Sequence, residues 1–241
     1  MESHARVWKK IGCYYALTML CSGAFDACAI HAGRLDAGNL LYVTGSMWSP
    51  AMAACLTKRF FGESLRSFPW AWGNSKFIWL AYLIPIAYAL PVYLVVWLGG
   101  WGGFAPAAFV RQIALGFGWP HLLPGLTVTF FVLLTATLGL VGKTSRALGE
   151  EIGWRGFLVP ELSKVVGFGG VGLISGLMWA AYHFPVLIFA DYNAGTPVWF
   201  GLSCFTLGVV AESFLFAWIT LRSRSLWPAA FLHGSHNLWI Q

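Results

Sequence analysis

Three groups of ionisable and amide side chains interrupt an otherwise apolar sequence. The first is Glu150-Glu151-Ile152-Gly153-Trp154-Arg155. On a helix Glu151 and Arg155 stand at i and i+4 with the acid N-terminal to the base, so they pair along one face. Glu150 lies about 100° round the axis from Glu151 and points elsewhere. One acid is thus expected to be structural and its neighbour free for chemistry. The second group is Trp179-Ala180-Ala181-Tyr182-His183, in which Trp179 and His183 share a face and Pro185, just beyond, predicts a kink. The third is His233-Gly234-Ser235-His236-Asn237, in which His233 and Asn237 aim two hydrogen-bonding groups at one point. His236 reads as structural or as facing lipid headgroups.

Together these supply a carboxylate, two imidazoles and a carboxamide. A glutamate and a histidine can hold a water and take its proton. A histidine and an asparagine can donate to the oxyanion that forms when the water attacks a carbonyl. Each group also has a plain reading when taken alone. Acids in a first helical turn complement the dipole, and a lone intramembrane histidine often only bonds between helices. It is the combination that suggests hydrolysis of a peptide.

The elements that must position these residues are membrane helices. Of 241 residues, 58% are hydrophobic and 10% charged, and the mean hydropathy is +0.68. A soluble domain carries about 25% charged residues, so this chain lacks the charge to coat a water-facing surface. Disorder, coiled coil and a soluble nucleic-acid binder are excluded, and no nucleic-acid partner is expected. The net charge of +6 is read as lipid-facing anchors. Runs of about 20 apolar residues predict an all-α, polytopic transmembrane bundle of about eight helices. The expected spans are Ile11–Ile30, Leu40–Phe61, Phe77–Leu98, His121–Val141, Ala147–Leu162, Phe168–Ala190, Val198–Leu221 and Leu226–Ile240. The uncharged segment Gly99–Ala108 is expected at the interface. The first run resembles a signal peptide, but its length and the later spans favour a retained helix. No repeat or linker divides the chain, so one domain over residues 1–241 is expected, with a motif-bearing core at about 145–241.

The Lys/Arg bias places the N-terminus in the cytoplasm. Arg6, Lys9, Lys10, Lys58, Arg59, Arg66, Lys76, Lys143 and Arg146 fall inside, and Arg34, Arg111, Lys164, Arg222 and Arg224 outside. Cys13, Cys21, Cys28, Cys55 and Cys204 show no metal or disulfide spacing and read as small buried hydrophobes. Each ionisable residue inside a membrane costs about 2.5–3.5 kcal/mol on insertion scales. Glu212 and Asp26 therefore need partners. Arg155 is within range of Glu212, and Asp26 bonds to backbone or lines a cavity.

E-E-I-G-W-R, W-A-A-Y-H and H-G-S-H-N, in this order on late helices, resemble the CAAX protease and bacteriocin-processing (CPBP, or ABI) family, type II CAAX prenyl proteases included. The family's pattern is E-E-x-x-x-R, F-x-x-x-H and H-x-x-x-N/B. Met47-Trp48-Ser49-Pro50 resembles its second helix, and Leu221–Ala229 the approach to its last motif. The resemblance implies an intramembrane endopeptidase with a conical buried cavity. In it Glu150 would activate water, His183 would hold it, and His233 and Asn237 would form the oxyanion site. Glu151 and Arg155 would brace them, with Trp154 and Trp179 beside the substrate. It implies no metal or other cofactor, and the absence of H-E-x-x-H weakens a zinc reading. The implied partner is a membrane-anchored peptide or lipidated protein C-terminus, and the implied location a cell membrane, in a bacterium the inner one. The alternative is a non-catalytic immunity, scaffold or transport protein of the same fold. Trp179 replaces the family's Phe, a change expected to keep an apolar wall and little else. The sixteen residues from Leu226 to Gln241 make only about 24 Å of helix. Asn237 is therefore expected on a weakly held helix end, unless the native chain continues.

Overall fold

In lipid a chain must satisfy its own backbone hydrogen bonds, and a helix does this within one segment. The computed structural model describes residues 2–32, 40–190 and 195–240, and among these it is all helical, with no strand. The helices are α1 (His4–Ala32), α2 (Leu40–Phe60), α3 (Ser75–Leu98), α4 (Ala107–Gly116), α5 (Pro124–Leu162), α6 (Phe168–Phe189), α7 (Val198–Ser223) and α8 (Trp227–Trp239). Of these, α1, α3, α5, α6 and α7 are long and apolar enough to cross a membrane. Trp79, Leu83, Val92 and Leu98 of α3 and Phe130, Leu133 and Leu138 of α5 are exposed. Such a surface suits hydrocarbon, not water. The chain is a multi-pass membrane protein.

The number of helices agrees with expectation, but the partition differs. The expected fourth and fifth spans are one helix, α5, which runs 39 residues. It passes through two wide π turns, Thr135–Gly139 and Trp154–Leu158. Lys143, Thr144, Ser145 and Arg146 break the hydropathy but not the backbone. Helix α4 makes up the number, beginning at the end of the segment expected to be an interfacial loop.

This continuity redistributes the cations. Lys164 pairs with Glu161 at 2.6 Å and with Glu2 at 3.3 Å. The Leu226 N–H donates to the Pro69 carbonyl at 3.1 Å. Lys164, Arg222 and Arg224, expected at the far end, therefore share one end with Arg6, Lys9, Lys10, Lys58, Arg59, Arg66 and Lys76. Lys143 and Arg146 leave that set and line a cavity part-way along the bundle. Arg34 and Gln241 lie outside the described residues.

Small residues set the closest helix approaches. A Cβ at Gly149 would come within 2.8 Å of the Met47 carbonyl oxygen, and one at Gly153 within 2.7 Å of the Pro50 backbone. Helix α2 thus lies directly against the Glu150–Glu151 turn of α5. Gly172 and Gly176 admit α7 in the same way, against Phe214 and Val210. Helix α8 is short but not loose. Tyr93 Oη donates to the Trp239 carbonyl at 2.6 Å, and Ser235 Oγ to that of Tyr82 at 2.8 Å. The helix end carrying Asn237 is clamped along α3, contrary to the weak end expected from its length.

Candidate active site

Glu150, His183, His233 and Asn237 come from α5, α6 and α8 and line one cavity of about 640 Å³. That is within the range of about 300–1,000 Å³ common for ligand sites. Glu150 is only 2% exposed. Its Oε2 accepts a hydrogen bond from Trp179 Nε1 at 2.7 Å. Trp179 is therefore more than the apolar wall expected of it, because indole carries a donor that a Phe ring lacks. The indole also packs edge-on against His233 and Phe216, with centroids 5.4 Å away in each case. The Arg155 guanidinium lies 4.0 Å from the ring centres of both Trp179 and Phe216. A cation between two aromatic faces fixes the plane of the indole, and through it the Glu150 carboxylate.

The neighbouring acid has a different environment. Glu151 is fully buried, and its Oε1 accepts from Arg155 Nη1 at 2.9 Å, the i,i+4 pair expected. The same oxygen lies 2.8 Å from His233 Nδ1. The spacing gave no sign of this second bond, which joins α5 to α8. A carboxylate only accepts, so His233 Nδ1 carries a proton and Nε2 is the nitrogen left for the cavity. His183 is arranged alike, with Nδ1 3.0 Å from the Trp179 carbonyl oxygen. That carbonyl also only accepts, which leaves His183 Nε2 as an acceptor in the neutral ring.

The remaining candidates separate. Glu212 does not pair with Arg155. Its Oε1 lies 3.1 Å from His236 Nδ1, and Tyr88 Oη lies 2.6 Å from the same nitrogen. His236 is thus tied to α3 and α7, not to headgroups, and both it and Glu212 line the cavity. Asp26 accepts from Ser46 Oγ at 2.8 Å and also lines it. Trp154 does not reach the cavity. It is 1% exposed and packs edge-on against Tyr14 and Tyr182 at 5.7 and 5.6 Å. With α2 drawn close by Gly149 and Gly153, the Trp154 indole fills the core between α1 and α6. The cavity residues that sequence reasoning left aside include Tyr42, Ser46, Phe205 and Phe216, together with Lys143 and Arg146. The last two stand at i−7 and i−4 from Glu150, a spacing that could have revealed them.

Among the described residues, the acidic and histidine ligand atoms that converge within 4.8 Å are those of Glu2, Glu63 and Glu161, away from this cavity. The Lys10 ammonium already occupies the centre of that cluster, 2.5 Å from Glu63, 2.8 Å from Glu161 and 3.4 Å from Glu2.

Residues 125–239 match the family model of type II CAAX prenyl endopeptidase Rce1-like proteins. A CAAX prenyl protease 2 from Methanococcus maripaludis is 26% identical over 172 residues, covering 68% of this chain and 56% of the relative. The chain thus spans a little over half the length of that relative.

Proposed function

Because the chain belongs to the type II CAAX prenyl protease-like family, we propose that it is an intramembrane endopeptidase in which Glu150 activates a water against a peptide bond. Glu150 takes the water's proton as the hydroxyl oxygen bonds to the scissile carbonyl carbon. His183, through Nε2, accepts the water's other hydrogen and aims its lone pair. The oxyanion is received by Asn237 and by His233 Nε2–H, which requires the doubly protonated ring paired with the Glu151 carboxylate. The C–N bond then breaks, and Glu150 returns its proton to the leaving amine. Trp179, Arg155 and Glu151 are positioning residues in this scheme. No step calls on a metal.

The observation that carries this reading is the convergence of a glutamate with one donor among the described residues, two histidines and an asparagine on one cavity. The substrate is a peptide whose lipid or apolar anchor holds it in the membrane, such as a prenylated protein tail. The bundle end bearing Lys10 and Lys58 faces the cytoplasm under the Lys/Arg bias. Protease sensitivity of an N-terminal tag in inside-out but not right-side-out vesicles checks that orientation.

The function is tested by cleavage of a quenched farnesylated peptide by purified protein, with and without chelator. Expected is chelator-resistant cleavage that disappears in Glu150→Gln. Cleavage abolished by chelator and restored by zinc contradicts the metal-free mechanism. No cleavage of farnesylated or plain membrane-inserted peptides contradicts the enzyme and favours a binding protein of the same fold.

A further inference from the structure

The loop that leaves α2, residues 61–67, is held from behind by cations of α1 and α2. Arg6 Nη2 donates to the Phe61 carbonyl at 2.9 Å, and Lys58 Nζ donates to Glu63 Oε2 and Ser67 Oγ, each at 2.9 Å. Trp70 Nε1 donates to the Leu65 carbonyl at 3.0 Å, and Ser67 Oγ to that of Ser64 at 2.6 Å. Gly62, at φ +74°, supplies the left-handed turn that reverses the chain. The loop therefore has a fixed shape. Its outer side forms a pocket of about 510 Å³ lined by Arg59, Gly62, Glu63, Ser64, Leu65 and Arg66.

Charge in this pocket is out of balance. Glu63 is its acid, and both oxygens are already engaged, by Lys10 at 2.5 Å and Lys58 at 2.9 Å. Arg59 and Arg66 are exposed. Neither guanidinium has an acid within 4 Å or a hydrogen bond among the described residues. Two guanidinium forks at one pocket suit a phosphate group, whose oxygens take paired N–H···O bonds.

The surroundings say which kind of phosphate. Phe60 is 68% exposed, Trp70 41% and Leu65 39%. Apolar side chains this exposed beside a cationic pocket belong at the boundary of hydrocarbon and headgroups, where Trp is favoured. A soluble phosphate compound leaves that apolar rim bare, whereas an acyl chain covers it. The surplus of positive charge also works against the ammonium group of a zwitterionic lipid.

We infer that Arg59 and Arg66 form a site for one anionic phospholipid, with its phosphate in the pocket and an acyl chain along Phe60 and Trp70. This goes beyond the diffuse attraction of a cation-rich end for an acidic leaflet. Diffuse attraction depends on the number of charges, whereas a site depends on which residues carry them. The inference is independent of the proposed hydrolysis.

Native mass spectrometry of the purified full chain, titrated in detergent with phosphatidylglycerol or phosphatidylcholine, gives an affinity for each lipid. One phosphatidylglycerol is expected to bind about tenfold more tightly than phosphatidylcholine, the order given by two arginines at a lipid surface. The ratio falls to about one when Arg59→Gln and Arg66→Gln are combined. It is unchanged by Lys9→Gln with Lys76→Gln, which removes the same charge from the same end but outside the pocket. It survives in weakened form in Arg59→Lys with Arg66→Lys, which keeps the charges but not the forks and controls for folding. Equal affinity for the two lipids in wild type, or an equal loss in the two glutamine pairs, overturns the site. Displacement of phosphatidylglycerol by millimolar inorganic phosphate also overturns it, in favour of a soluble anion.

Discussion

Two clusters of buried charge in this protein are built to opposite rules. At the end where α1 begins, Lys10 is fully buried and meets Glu63, Glu161 and Glu2, while Lys58 and Lys164 take up the outer oxygens of the same acids. Every charge there has a partner. Around the cavity, partners run short. Among the described residues, Glu150 has one donor, His183 and His233 are each held through Nδ1 alone, and Lys143 and Arg146 have no acid partner. Between these extremes, Glu151 and Arg155 are committed to one another and to the rings around them. A saturated cluster stabilises an assembly of helices. A cluster that leaves lone pairs and charges directed into a cavity keeps them for something that enters it.

The contrast gives predictions that fall in order of size. Asn237→Ala removes one oxyanion donor, and kcat should fall about 10²–10³-fold with the melting temperature unchanged. If kcat and folded protein fall together, Asn237 belongs with the saturated cluster. Trp179→Phe keeps an aromatic face for Arg155 but removes the N–H from Glu150. The expected result is about a tenfold loss in kcat with little change in KM, because an orienting bond to a charged group is lost. A change confined to KM would mean that the indole contacts substrate instead.

Lys10→Met should act on stability alone. Removing one partner of a fully buried ion pair costs about 3–5 kcal/mol. Glu2 and Glu63 remain about a quarter exposed, and water screens them, so about 1–3 kcal/mol is expected here. Denaturation in detergent, beside an unchanged kcat per folded molecule, checks this. The smallest effect is acid sensitivity. Burial pushes the Glu63 carboxyl up, but Lys10 and Lys58 outweigh it and hold it below its ordinary 4.5. Glu2 behaves alike, with burial opposed by Lys164 and Lys10. An acid lowered in the folded state contributes stability above its unfolded value, and that contribution fades as pH falls through the folded one. Thermal stability should be flat above about pH 4.5 and decline below it, with a smaller decline in Lys10→Met. An equal decline in both proteins would remove Lys10 from the account.

Much of the arrangement was legible because helical spacing is a local property. The Glu151–Arg155 pair needed only i,i+4. The close approach of α2 at Gly149 and Gly153 is local in the same sense, because a missing Cβ admits a neighbour whichever helix it is. What escaped depended on groups far apart in sequence. The Glu151–His233 bond spans 82 residues and the Trp179–Glu150 bond 29. A family pattern carrying Phe at the Trp179 position gives no hint of a donor. The split of α5 into two spans had another cause. Hydropathy measures cost in lipid, and Lys143 and Arg146 face a cavity, so their polarity marked a site and was mistaken for a loop. Trp154 was misplaced for a related reason, since apolar bulk next to a motif says nothing about whether it faces cavity or core.

The central claim is that adjacent glutamates have separate tasks, Glu150 chemical and Glu151 structural. Glu150→Gln and Glu151→Gln measured side by side test it most directly, with hydrolysis normalised to folded protein and thermal stability read on the same samples. The account predicts that Glu150→Gln loses at least about 10³-fold in rate with native stability. Glu151→Gln should lower stability by several degrees, because Arg155 and His233 lose their shared carboxylate, and retain more activity per folded molecule than Glu150→Gln. Parallel losses of stability and rate in both variants, or native stability in Glu151→Gln, would contradict it.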